Sequence, residues 1–98
     1  MNLPVILSPE ARAEFDEAAD WYGERRAGLG DRFIDAVRDA LNRIGIAPHT
    51  HGVVWKDVRC ALVHRFPYAV YYRVELERVV VIAIFHTTRD PRVWQRRA

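Results

Sequence analysis

Cysteine is nearly absent from this 98-residue chain, with Cys60 standing alone. No internal disulfide can form, and one thiol without a second cysteine or a histidine cluster in ligand spacing marks no zinc site. A reducing cytosol suits such a chain. Cys60 also falls at an alternating position in an apolar run, where a thiol packs rather than reacts. Long hydrophobic segments are missing too. The longest uninterrupted one, Val79 to Phe85, falls far short of a bilayer's thickness. Met1 to Ser8 lacks the basic start and apolar stretch of a signal peptide. A soluble, cytoplasmic protein without membrane contact is expected. G-x-x-x-x-G-K, G-x-G-x-x-G and G-x-S-x-G do not occur, so nucleotide and cofactor chemistry finds no support and no cofactor is expected. Lysine is represented by Lys56 alone.

What is present describes one folded domain covering residues 1–98, with 50% apolar and 29% charged residues. The net charge of +2 hides an asymmetry. Residues 1 to 50 carry six arginines against nine acids, net −3, whereas residues 51 to 98 carry eight arginines and Lys56 against four acids, net +5. The second half can therefore steer toward an anionic partner.

A short apolar run, Leu3 to Leu7, leads into Ser8-Pro9-Glu10. Ser8 suits a helix cap, Pro9 the first turn, and Glu10 the positive end of the helix dipole. Ala11, Phe15, Ala18 and Tyr22 then recur at helical spacing, predicting a helix that ends near Arg25 or Arg26. Gly28 and Gly30 supply a tight reversal. A second helix is predicted from about Gly30 to Ile44, burying Phe33, Val37, Ala40, Leu41 and Ile44, and stopped by Gly45. So short a link makes an antiparallel hairpin.

Beyond Pro48-His49-Thr50-His51-Gly52 the period changes to two. Val58, Cys60, Leu62, His64 and Phe66 share one strand face. After Pro67, Tyr68, Val70, Tyr72 and Val74 share another, opposite Tyr71 and Arg73. Val79 to Phe85 is apolar on both faces and predicts a central strand. Such a strand needs a second cover, supplied by Val93 and Trp94 or by another chain. The expected fold is α+β: an N-terminal strand, then an antiparallel helical hairpin packed on a small, mainly antiparallel C-terminal sheet of three to four strands.

A metal-free ribonuclease would need a base, an acid and cations around a phosphate. His86, three residues before Arg89, is the best-placed base. Arg65, Arg73 and Arg89 offer planar forks to phosphate oxygens. A partner acid is missing, since a strand tyrosine such as Tyr71 more often packs. His49 and His51 form an H-x-H without further ligands at recognisable spacing, so no metal site is expected. The acids of the first helix read as a solvated face. Trp21, adjacent to Tyr22 and about 100° from it around a helix, sits at the edge of the apolar stripe, where it can dock a partner. Trp94, between Arg92 and Arg96, suits either packing on the sheet or an exposed contact.

The segments LSPEARAEFDEAADWY, GLGDRFIDAV, RFPYAVYYRV and HTTRDPRVWQRR together resemble the RelE/ParE family of bacterial type II toxin-antitoxin toxins, over essentially the whole chain. The resemblance implies a cognate antitoxin encoded beside the toxin. The antitoxin's C-terminal segment would wrap the toxin in a hetero-oligomer, laying a helix into an apolar groove and sometimes a strand along the sheet edge. Two activities occur among such toxins. RelE-like members cleave mRNA in the ribosome, whereas ParE-like members poison DNA gyrase without being nucleases. Where the nuclease pattern has an arginine after the first tyrosine of the Tyr68 strand, this chain has Ala69. Its upstream lysines reduce to Lys56. Arg89 matches the arginine after the last strand in both branches. The ParE-like branch is therefore expected, with binding rather than catalysis as the activity. Arg89, Arg92, Trp94, Arg96 and Arg97 would contact the target, with Arg65 and Arg73 secondary, while Trp21 and Phe15 would meet the antitoxin. The alternatives are a ribosome-dependent mRNA endonuclease using His86, Arg89, Arg65 and Arg73, and a non-toxic relative that only binds its antitoxin.

Overall fold

A computed structural model describes residues 2–98. Strand β1 (Val5–Leu7) runs into helix α1 (Pro9–Arg25) and helix α2 (Leu29–Ile46). Strands β2 (Val53–Trp55), β3 (Val58–Leu62), β4 (Tyr68–Val74) and β5 (Val79–His86) follow, and a short helix α3 (Arg92–Gln95) closes the order. The strands form one sheet in the order β1-β5-β4-β3-β2. β1 lies parallel to β5, with Val5 opposite Val79 and Leu7 opposite Val81, and the other neighbours are antiparallel. The α+β order read from the sequence is the observed one. β2 has no signal in the sequence, because Val53-Val54-Trp55 shows no alternation, and all three residues are exposed.

The N-terminal cap of α1 forms as its residue types require, with the Ala11 N–H donating to Ser8 Oγ at 3.1 Å. At its other end the chain turns through Gly28, whose φ of 82° favours glycine. Gly30 serves differently from the turn residue expected. It lies inside α2, where a Cβ would stand 2.7 Å from the Ala19 carbonyl oxygen, so its missing side chain lets the two helices cross closely. Gly45 likewise does not stop α2, which continues to Ile46. Its carbonyl accepts the Leu3 N–H at 3.0 Å, and a Cβ would meet the Leu3 oxygen at 3.1 Å. Both glycines mark close backbone approach.

Phe33, Val37, Ala40 and Ile44 bury one stripe of α2 completely against the sheet. With Ala11, Phe15 and Ala18 of α1 they meet Val70, Tyr72, Val79, Val81 and Ile84. The other sheet face holds Val58, Ile82, Ala83 and Phe85 beneath Trp94. Thus the second cover that a doubly apolar β5 demands comes from α3 of the same chain. A bulge lets β5 serve both faces. Tyr71 pairs with Ala83 and Tyr72 with Val81, leaving Ile82 without an opposite residue. Ile82 and Ala83 consequently both face α3, and alternation resumes with Ile84 toward the helices. β3 is shorter than its two-residue period suggested. It ends at Leu62, and His64 to Pro67 form the link to β4, with Arg65 at a φ of 70°.

The loop before β2 is held by its backbone. Tyr72 Oη donates to the Pro48 carbonyl at 2.7 Å, and Arg59 Nη1 donates to the carbonyls of His49 at 3.1 Å and His51 at 2.7 Å. Burial, then the nearby Arg43 and Arg59 charges, lower the His51 pKa below its ordinary value of 6.5. A depressed histidine pKa means that the unfolded chain takes up the proton first. The neutral ring's contribution is present above pH 6.5 and is lost as pH falls from there through the folded-state value. Urea midpoints should therefore fall between pH 7.5 and pH 5.5, and fall less in His51→Gln; equal slopes in the two proteins would assign the acid loss elsewhere.

Candidate functional site

A groove of about 330 Å3 runs between the outer edge of α1 and the end of β5. α1 contributes Glu14, Glu17, Ala18, Trp21 and Tyr22, and the sheet contributes Tyr68, Ile84, His86 and Arg89. Aromatic rings make its walls. Tyr22 packs edge-on to Trp21 with centroids 5.1 Å apart and meets Tyr68 at 6.1 Å, and Tyr68 meets His86 at 5.3 Å. Trp21, with 49% of its surface exposed, is the large open apolar side chain of the rim. Arg25 lies over its ring at 4.1 Å. Burial raises the Tyr22 and Tyr68 pKa values, so both phenols stay neutral hydrogen-bonding groups.

The residues expected at functional positions separate into groups. Trp21, His86 and Arg89 share this groove. His86 Nδ1 accepts the Thr88 N–H at 3.2 Å and lies 2.8 Å from Thr88 Oγ1, which leaves the proton of the neutral ring on Nε2. Arg89 extends over the Phe85 ring at 4.2 Å. Phe15 does not reach the surface. It is 6% exposed and packs on Phe33, because its place on the α1 stripe points to the sheet rather than to the rim.

Arg65 lines a different depression with Arg32 and Phe66, and Arg73 lines another with Arg96 and Glu75. Arg73 Nε also bonds Asp57 at 3.3 Å. The four residues of the nuclease alternative therefore do not converge. Tyr71, the conceivable acid, is stacked on Trp94 with centroids 4.3 Å apart and planes 19° apart. Its pKa is raised by burial and then by Cys60. The Cys60 thiol is itself pushed up by burial, consistent with packing rather than nucleophilic chemistry.

The C-terminal cassette splits as well. Trp94 is 3% exposed and roofs the second sheet face, so it is not part of the accessible surface expected to meet a target. The preference for packing follows from the large apolar area β5 leaves on that side. Arg97 is engaged internally. Its Nη1 and Nη2 hold the two Glu14 carboxylate oxygens at 3.0 Å each, and Nη1 also donates to the Ile82 carbonyl at 3.0 Å. Glu14 in turn accepts the Ile84 N–H at 3.1 Å. One ion pair thus satisfies the outer edge of β5 beyond the end of β1, tying α1 and the tail together. Sequence reasoning missed Glu14, since its partner lies 83 residues away. Arg92 clasps Asp90 through contacts of 2.8 to 3.1 Å, lowering the carboxyl pKa chiefly by those hydrogen bonds. Arg89, Arg92 and Arg96 remain as the exposed cations of this exit.

Residues 5–91 match the family model described as ParE toxin of type II toxin-antitoxin system, parDE. This chain belongs to the ParE toxin family. It is also similar in structure to a chain described as the chromosomal ParDE TA system from P. aeruginosa, with a TM-score of 0.73 and 17% identity. That alignment covers 86% of this chain and 95% of the other, and at such low identity it speaks for the fold. A search of curated proteins finds no match. The ParE assignment makes the chain the toxin half of a toxin-antitoxin pair, with a cognate antitoxin as its partner. Among the described residues no helix is long and apolar enough to cross a membrane.

Proposed function

We propose that this toxin acts by gripping DNA gyrase through the cationic exit of β5, and that its antitoxin silences it by seating a segment in the groove beside Trp21. The observation that carries this reading is the dispersal of the nuclease set. His86 and Arg89 stand in a groove with Glu14 and Glu17, while Arg65 and Arg73 line separate depressions and Tyr71 lies under Trp94. His86 and Arg89 thus share their groove with two carboxylates, while the other arginines that a phosphate site would draw on lie in other depressions. Gripping needs less: exposed guanidinium groups on a rigid strand end, which Arg89, Arg92 and Arg96 provide. A toxin acting on gyrase works in the cytoplasm. Arg89 also lines the groove, so a seated antitoxin would cover part of the target surface and form a hetero-oligomer in which the toxin is idle.

Purified toxin should block supercoiling by gyrase. The double variant Arg89→Ala/Arg96→Ala should need about ten-fold more protein for half inhibition, the loss of one modest hot spot. Undiminished supercoiling at toxin excess would overturn the gyrase reading. Ribosome-dependent cutting of mRNA that disappears in His86→Ala would establish the nuclease in its place.

A further inference from the structure

We propose that the groove between α1 and β5 selects its antitoxin segment by charge order, taking a cationic side chain at the Glu17 end and a carboxylate at the Arg89 end, with apolar side chains between. The inference rests on the reading of this groove as the antitoxin's seat.

Sequence order is spatial order here. Glu14 of α1 touches β5 at Ile84. Two turns along α1, Tyr22 meets Tyr68, which meets His86, two residues along β5. Helix and strand thus run along the groove in the same sense. Both walls change character in step. The first stretch carries Glu14 and Glu17 near Ile84, the next sets Trp21 and Tyr22 beside the paired Tyr68 and His86, and Arg89 follows β5, with Arg25 over the Trp21 ring.

Glu14 is neutralised by Arg97. Among the described residues neither Glu17 nor Arg89 enters an ion pair. The Glu17 end therefore presents unmatched negative charge and the Arg89 end unmatched positive charge, each beside a surface that a bound segment would dry, where opposite charge attracts and like charge is costly. A uniformly acidic or uniformly basic segment satisfies one end and is repelled at the other. Only an amphipathic segment with charges of opposite sign at its two ends meets both.

The test uses the purified antitoxin encoded beside this gene, titrated calorimetrically into the full chain. Glu17→Lys and Arg89→Glu should each weaken binding by about ten-fold at low salt, and most of that loss should vanish at about 0.5 M NaCl, where exposed charges are screened. Trp21→Ala reports on the groove itself. Unchanged binding by Trp21→Ala means that the antitoxin sits elsewhere, and the seat fails. If Trp21→Ala loses binding while either charge variant stays within about twofold of the parent or binds more tightly, the seat stands and the charge order is overturned. Both charges are exposed, so matching thermal melts will exclude misfolding as the cause.

Discussion

Replacing Arg97 by alanine should destabilise the fold by about 3 kcal/mol, the lower end of what removing one partner of a buried pair costs. The pair it breaks differs from the other ion pairs of the molecule. Arg97 and Glu14 retain 21% and 14% side-chain exposure, against 75% and 46% for Arg92 and Asp90. The geometry is bidentate, and the same guanidinium satisfies the Ile82 carbonyl at the bulge of β5. Alanine would leave the Glu14 carboxylate with the Ile84 N–H alone and the Ile82 carbonyl without its donor. Exposed pairs such as Arg92 and Asp90 contribute little, because water screens them, so Arg92→Ala is the control. Urea unfolding followed by tryptophan emission would read both, because the tail that Arg97 holds also carries Trp94. The single variants Glu14→Ala and Arg97→Ala should together cost more than the double variant, the sign of a shared interaction. An Arg97→Ala protein within about 1 kcal/mol of the parent would show that the pair contributes no more than a surface one.

Gly30→Ala should cost about 2 to 3 kcal/mol, near the upper range for overpacking a tight contact. The added methyl would stand 2.7 Å from the Ala19 oxygen and 3.2 Å from the Gly23 Cα and nitrogen. All three are backbone atoms of α1, so no rotamer change relieves them. The helices must separate, and Phe33, one turn along α2, would lose its ring contacts with Tyr22 at 5.1 Å and Phe15 at 6.1 Å. Gly23→Ala provides the contrast. A Cβ at Gly23 would have nothing within 4 Å of it, and alanine in a helix interior gains about 0.5 to 1 kcal/mol over glycine. Thermal melts of the two variants should therefore move in opposite directions; a Gly30→Ala melting point at or above that of the parent would refute the close-crossing account.

These two sites also mark what local pattern can and cannot reveal. Ser8, Pro9 and the α1 spacing were readable because a cap and a helical stripe are written within a few residues. The doubly apolar Val79 to Phe85 run likewise required two covers wherever they came from. Gly30 and Gly45 misled because a glycine that permits close approach and a glycine that permits a turn are the same letter. β2 escaped notice because its pairing with β3 comes from the hairpin, not from alternation. The site was less legible than the fold. Trp21, His86 and Arg89 were singled out and do meet in one groove, yet Phe15 and Trp94 face inward. An aromatic on a stripe edge and one beneath a helix look alike until the sheet's area is known. Arg97 read as a free cation because its acid lies at the opposite end of the chain, in α1.

The groove is walled by α1 on one side and by β5 on the other, the first long helix and the last strand of the chain. On a translating ribosome α1 emerges early and can pack on α2, but its groove side has no opposite wall until His86 and Arg89 have been made and have left the exit tunnel. The parallel pairing of Val5–Leu7 with Val79–Val81 imposes the same wait on the sheet. A nascent or truncated chain ending before β5 therefore lacks both the proposed antitoxin seat and the proposed cationic grip. On the proposed reading, harm and the means of restraining it arise together, late in synthesis, within a few residues of each other.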